Sequence, residues 1–241
     1  MNSLTGKTAL ITGGGSGIGQ GIALAFAELG ANVVVCGRRV DALESTAHAG
    51  RAFPGQIHPL PGDISQEGDV TRIVNATLAQ FGKIDILVNN AAVSFSGPVH
   101  TVSVETWDQV MAINLRGPFL MCRAVLPHMR AQRSGHILNI SSESGIEYYP
   151  GDAAYGTSKH ALNALDEYLQ RENQEFNIRV NTICPGMVVS EMTADEPHLN
   201  RAKCLFPSDI ADLAVWLVTR RANIKVGSPI LIQTMENPWE Q

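Results

Sequence analysis

Residues Thr8-Ala9-Leu10-Ile11-Thr12-Gly13-Gly14-Gly15-Ser16-Gly17-Ile18-Gly19 decide the fold. A short apolar run meets a cluster of glycines and passes directly into Ile18, Ile22, Ala25, Phe26 and Leu29 at helical spacing, with Gly30 placed to close the helix. Strand, tight turn and amphipathic helix in that order make a βαβ unit once a second apolar run, Asn32 to Cys36, follows. A turn without side chains lets backbone N–H groups and the helix N-terminus face a pyrophosphate. Gly13, Gly15, Ser16, Gly17, Ile18 and Gly19 are therefore candidate coenzyme contacts.

Further β-branched runs recur at Gln56 to Leu60, Ile84 to Val88, His136 to Ile140, Arg179 to Ile183 and Pro229 to Gln233, with helix-length segments between most of them. They read as near-continuous hydrophobics, the pattern of parallel strands covered on both faces. The expected architecture is α/β: one Rossmann-type domain over residues 1–241, a doubly wound parallel sheet of seven buried strands with helices on both faces. Residues 185–207 carry no clear periodicity and form a candidate substrate lid.

With 241 residues, 44% of them hydrophobic, the chain can bury a large core. The net charge of −5 and the lack of basic runs argue against a nucleic-acid partner. Cys36, Cys122, Cys184 and Cys204 are scattered, without zinc or redox spacing, and read as reduced thiols. No export signal is visible at the N-terminus, and no apolar stretch approaches the roughly 18 residues of a spanning helix. A soluble, cytoplasmic protein without a membrane partner is expected.

Tyr155 and Lys159 stand at i and i+4, so one helix face projects both into one cleft. A free phenol has a pKa of about 10. A neighbouring ammonium, with an oxidised nicotinamide, is expected to lower it and make Tyr155 an acid and base. Ser142 ends the fifth run, at the carboxyl edge of the sheet, where its hydroxyl can hold a substrate oxygen. Phenol and serine supply the electrophilic help, so no metal is expected.

Thr12-Gly-x-x-x-Gly17-x-Gly19, Asn89-Asn90-Ala91, Asn114, Ser142, Tyr155-x-x-x-Lys159 and Pro185-Gly186, in this order and across nearly the whole chain, resemble the classical short-chain dehydrogenase/reductases. The resemblance implies reversible hydride transfer between a nicotinamide and a carbonyl or secondary alcohol, with Tyr155 as general acid/base. It further implies that Lys159 also binds the nicotinamide ribose and that Asn114 supports a water relay to Lys159. By the same likeness, Asn90 and Ala91 run alongside the coenzyme, Asp63 and Ile64 lie at its adenine, and Pro185, Gly186, Val188 and Ser190 form the turn facing the carboxamide. A homodimer or homotetramer is expected by analogy. Three readings compete: a carbonyl reductase or alcohol dehydrogenase, with a 3-oxoacyl reductase as variant; a non-catalytic NADP(H)-sensing protein; and a lyase or dehalogenase on the same scaffold.

An acid ending the second strand would accept from the ribose 2′-hydroxyl and repel a 2′-phosphate. Here Gly37-Arg38-Arg39 follow instead, so NADP(H) is expected over NAD(H), with Arg38 and Arg39 as phosphate ligands. Ser16 occupies a position where the family often has a second basic residue. Ser94, Phe95, Glu143, Tyr148, Tyr149, Met187 and residues 192–205 are placed to line a small or open substrate pocket. The last strand lacks the Asp-Gly-Gly common in relatives.

Overall fold

The computed structural model describes residues 3–240. Seven parallel strands form one sheet in the order β3-β2-β1-β4-β5-β6-β7: β1 Thr8–Thr12, β2 Asn32–Gly37, β3 Gln56–Pro61, β4 Ile86–Asn89, β5 Gly135–Ile140, β6 Ile178–Pro185 and β7 Ile230–Ile232. The helices between them are α1 Gly17–Glu28, α2 Val40–Ala49, α3 Glu67–Phe81, α4 Val104–Met111, α5 Gly117–Gln132, α6 Ala153–Asn173 and α7 Pro207–Val218. The expected doubly wound sheet is present. Strand order reverses at β1, which β2 and β4 flank from opposite sides, and this is the point where such sheets open a crevice.

The period-2 geometry of a strand splits each apolar run between two cores. Ala9, Ile11, Val33, Val35, Val88, Leu138 and Ile140 join Ile22 and Phe26 of α1 and Ile210 and Ala214 of α7 on one face. Leu10, Val34, Leu87 and Ile137 meet Val70 and Ile73 of α3, Met121 and Val125 of α5 and Leu169 of α6 on the other. That is why the runs look unbroken in the sequence.

Two expectations need correction. Not all seven strands are buried: β3 and β7 are the sheet edges, and their residues are only partly covered or exposed. β3 accordingly carries Gln56, His58 and Pro59, which an edge tolerates. The fourth strand begins at Ile86 rather than Ile84, because Asp85 serves as a staple. Its carboxylate accepts from the Thr8 N–H at 2.9 Å and pairs with Lys7 at 2.9 Å and Lys83 at 3.1 Å. Asn114 lies in a π-helical turn, Ala112–Arg116, that joins α4 to α5.

A polar chain crosses the second core. Asn89 on β4 donates to Asn139 Oδ1 on β5 at 2.7 Å and contacts Cys122 Sγ on α5 at 3.4 Å, while Asn139 donates to Asp166 on α6. Asp166 is buried, with no cation paired to it among the described residues, and burial raises its carboxyl well above the usual range. The fold therefore prefers the protonated acid, a preference that stabilises at low pH and is lost as pH rises through the raised value. Asp166→Asn, isosteric with that acid, should gain on the parent in urea as pH rises, the difference in stability growing by roughly 1–3 kcal/mol between pH 5 and pH 8.5. Equal loss of stability at both pH values would show that Asp166 is held as an anion.

Candidate active site

A cleft of about 670 Å³ opens at the carboxyl ends of the strands, running from the β2–α2 turn past the glycine turn to Tyr155 and Lys159. Its centre is tied down by one hydroxyl. Thr12 Oγ1 accepts the N–H groups of Asn90 and Ala91, both at 3.0 Å, so the end of β1 is stitched to the turn after β4. Asn90 Nδ2 returns the contact, donating to the carbonyls of Thr12 at 3.0 Å and Gly13 at 3.1 Å. Gly13 adopts φ +65°, and a Cβ there would stand 2.8 Å from Asn90 Nδ2. A Cβ on Gly19 would run into the same amide and the Gly13 carbonyl. The glycines are thus required by the packing of turn against turn as well as by any ligand.

The first turn of α1 faces this cleft without a side-chain cap: the Ser16 side chain, at its N-cap, makes no hydrogen bond to the helix backbone, and no acid stands in the first turn. Its free N–H groups and positive dipole end form an anion site. Beyond it lie Gly37, Arg38, Arg39, Asp63 and Ile64. Arg38 has no side-chain partner among the described residues, whereas Arg39 Nη2 is 2.6 Å from Glu191 Oε2. Asp63 lines the cleft, yet its Oδ1 closes an Asx turn by accepting from Ser65 N at 2.9 Å and Ser65 Oγ at 2.8 Å.

At the other end, Lys159 is buried and its Nζ donates to the Ile140 carbonyl at 2.9 Å, anchoring α6 to the tip of β5. Nζ sits 5.4 Å from the centre of the Tyr155 ring, one turn earlier on the helix. The ring is partly open to the cleft. Ser142 follows β5 in extended backbone, and its Oγ accepts from Ser144 N at 3.1 Å, which fixes the hydroxyl beside the phenol.

The electrostatics run against the expected direction. Burial pushes the Tyr155 phenol up to about 12, and only the hydrogen bond from Ser142 opposes it, while Asp152, Cys184 and Glu143 push it further up. Burial lowers Lys159 to about 8. Among the protein's own groups, desolvation of the phenol dominates and favours its neutral form.

Of the sequence candidates, Gly13, Gly15, Ser16, Gly17, Ile18, Arg38, Arg39, Asp63, Ile64, Asn90, Ala91, Tyr155, Lys159 and Ser190 line the cleft. Gly19, Asn114, Ser142, Pro185, Gly186 and Val188 stand outside its wall. Asn114 is fully engaged: Oδ1 accepts from Val93 N at 2.9 Å, and Nδ2 donates to Val93 O at 2.9 Å and Ser158 Oγ at 3.1 Å. It sets the loop after β4 and the face of α6 that carries Tyr155. Gly186 N donates to Ile232 O at 2.9 Å, and Val188 is buried in a bridge to Leu205 that closes the base of the 185–207 segment. Above that base the segment carries two short 3₁₀ turns, so it is a stapled flap rather than an unstructured loop. Glu143 is held by Gln233 Nε2 at 2.6 Å.

Sequence reading missed the structural work of Thr12 and Ser158 and any role for Glu191. A β-branched hydroxyl at the strand end was the available signal for Thr12. Glu191 meets Arg39 across 152 residues and left no local signal.

The family described as "short chain dehydrogenase" matches residues 7–200. A 2-(R)-hydroxypropyl-CoM dehydrogenase of Xanthobacter autotrophicus is 42% identical over 200 residues, 80% of each protein. Among solved structures, a metagenomic short-chain oxidoreductase in complex with NADP superposes with TM-score 0.86 at 33% identity, covering 97% of this chain and 99% of its own. An alcohol dehydrogenase of the archaeon Thermococcus sibiricus complexed with 5-hydroxy-NADP reaches TM-score 0.88 at 26% identity, covering 98% of each. A cleft built at the β1–β4 switch, an uncapped helix behind a glycine turn and a tyrosine–lysine pair at its inner end thus agree with what the comparisons find: the chain belongs to the short-chain dehydrogenase/reductase family of oxidoreductases.

Proposed function

We propose that this protein is an NADP(H)-dependent carbonyl reductase or alcohol dehydrogenase in which Tyr155 transfers the proton. The observation that carries the reading is the buried Lys159, pinned on the Ile140 carbonyl one helical turn from a neutral phenol at the cleft wall. The residues present fit a phosphorylated dinucleotide. The uncapped N-terminus of α1 suits a pyrophosphate, and Arg38 offers an unpaired guanidinium where β2 ends without an acid. Two similar structures hold NADP or a derivative of it, which supports the same choice. The coenzyme, when bound, supplies or accepts the hydride.

The chain's own residues handle the oxygen. During ketone reduction Tyr155 gives its proton to the substrate oxygen as negative charge gathers there, and the Ser142 hydroxyl holds that oxygen in place. The resulting phenolate is stabilised by the Lys159 ammonium, and solvent returns the proton. Alcohol oxidation runs the same path backwards. Asn114 keeps Ser158 and the Val93 loop in register behind the pair. We read the chain as a single catalytic domain acting on a small-molecule carbonyl or alcohol in the cytoplasm. Phe119 on α5 and Tyr168 on α6 expose apolar surface that a homodimer or homotetramer would cover.

Tyr155→Phe should cut kcat for ketone reduction by about 10²–10⁴-fold while leaving the NADPH dissociation constant within about twofold; a variant with near-parental turnover refutes the mechanism. Because Lys159 carries its charge below about 8 and loses it above, the reduction rate at saturating substrates should be level at lower pH and fall as pH rises through that value. A profile flat to pH 10 would remove Lys159 from the proton path. Arg38→Asp should shift the ratio of kcat/KM toward NADH by at least about tenfold, the scale of one charge-assisted phosphate contact. An unchanged ratio would mean that Arg38 does not meet the phosphate.

A further inference from the structure

One carboxylate oxygen gathers three segments that are far apart in the chain. Glu191 Oε2 accepts from Arg39 Nη2 at 2.6 Å and from Ser16 Oγ at 3.1 Å, and Arg39 Nη2 also donates to Ser16 Oγ at 3.1 Å. Ser16 belongs to the glycine turn, Arg39 to the turn after β2 and Glu191 to the first 3₁₀ turn of the flap, and all three line the same cleft. Arg38 next door is unpartnered among the described residues. The coenzyme end therefore holds two guanidinium groups, one open and one already satisfied by an acid of the chain itself.

We propose that Glu191 is a determinant of coenzyme affinity and selectivity: its carboxylate occupies Arg39 and Ser16 as an internal stand-in for the ribose phosphate, which must displace it to bind. The inference rests on the NADP(H) reading above. A guanidinium fork accepts a carboxylate and a phosphate with the same geometry. The two anions cannot share it closely, because like charges at close range repel, more strongly near a protein surface than in water. The clasp is also weak enough to exchange. Its side chains are 61% and 62% exposed, and solvent screens pairs of that kind.

Ser16 strengthens the case, because its hydroxyl is turned to Glu191 instead of capping α1. Displacing Glu191 returns that hydroxyl and the Arg39 guanidinium to the ligand together. The flap cannot leave as a whole. Val188 and Leu205 bridge its base, Val189 N donates to Leu205 O at 2.9 Å, and Leu205 N donates to Met187 O at 2.9 Å. Exchange at Glu191 therefore frees only the tip, near residues 190–196. A coenzyme without the 2′-phosphate brings nothing to compete for Arg39 and leaves the clasp closed.

Calorimetry with two coenzyme fragments, 2′,5′-ADP and 5′-AMP, isolates the phosphate, and the exposed position of Glu191 lets Glu191→Gln fold as the parent does. Glu191→Gln should bind 2′,5′-ADP about three- to tenfold tighter than the parent chain, with 5′-AMP unchanged within about twofold. In the parent, amide exchange over residues 190–196 should speed up with 2′,5′-ADP and not with 5′-AMP. Equal affinity of the parent for both fragments would overturn the NADP(H) reading and this inference with it. Parental preference for 2′,5′-ADP that Glu191→Gln leaves unchanged or weakens would overturn the clasp alone, leaving the coenzyme assignment intact.

Discussion

The site depends on one buried contact, the Lys159 ammonium donating to the Ile140 carbonyl at 2.9 Å. A charge taken out of water must be repaid by hydrogen bonds and must find its place only where a carbonyl is left free. The carboxyl end of a parallel strand offers such a carbonyl, so α6 docks on β5 at one height. Tyr155 then stands one turn earlier over the cleft, and Ser142, two residues beyond Ile140, arrives beside it. Asp166, seven residues along the same helix face, meets Asn139 on the same strand. The polar stripe of α6 is in this sense a register mark between helix and sheet, written in groups that cannot be buried anywhere else.

That burial also sets the chemistry. The same desolvation that lowers Lys159 to about 8 raises Tyr155 to about 12, and both changes favour the neutral forms. A phenol that stays protonated is a proton donor in waiting. In the proposed reduction the ammonium would act chiefly on the phenolate, the form that exists only after the proton has moved, which is where stabilisation accelerates a reaction. The glycine turn is fixed in a comparable way, through the Thr12 hydroxyl and the Asn90 amide, so the uncapped helix end is presented on a rigid ledge.

Much of this was legible in the chain. Parallel strands buried on both faces must be apolar throughout, so their runs, the doubly wound parallel sheet and the glycine turn could be read directly. That Tyr155 and Lys159 share one cleft was legible from their spacing of four on a helix. The edge position of β7 was not, since a three-residue apolar run reads alike at an edge or in the middle, whereas Gln56, His58 and Pro59 of β3 carried an edge signal that the count of seven buried strands passed over. Asp85 shortened β4 through contacts with Lys7 and Thr8, 77 residues away or more. The direction of the Tyr155 shift depended on how deeply the hydroxyl is buried, a property of the packed fold. Glu191 and Arg39 meet only because the flap folds back over the glycine turn, which no local pattern encodes.

Burial lowers the Lys159 ammonium toward neutrality and with it the charge that stands beside the neighbouring phenol. Heteronuclear NMR titration of the Lys159 side chain in the coenzyme-free protein, assigned through Lys159→Arg, measures this directly. A midpoint at about 8 is the predicted result; an ammonium that keeps its proton beyond pH 10 would contradict it.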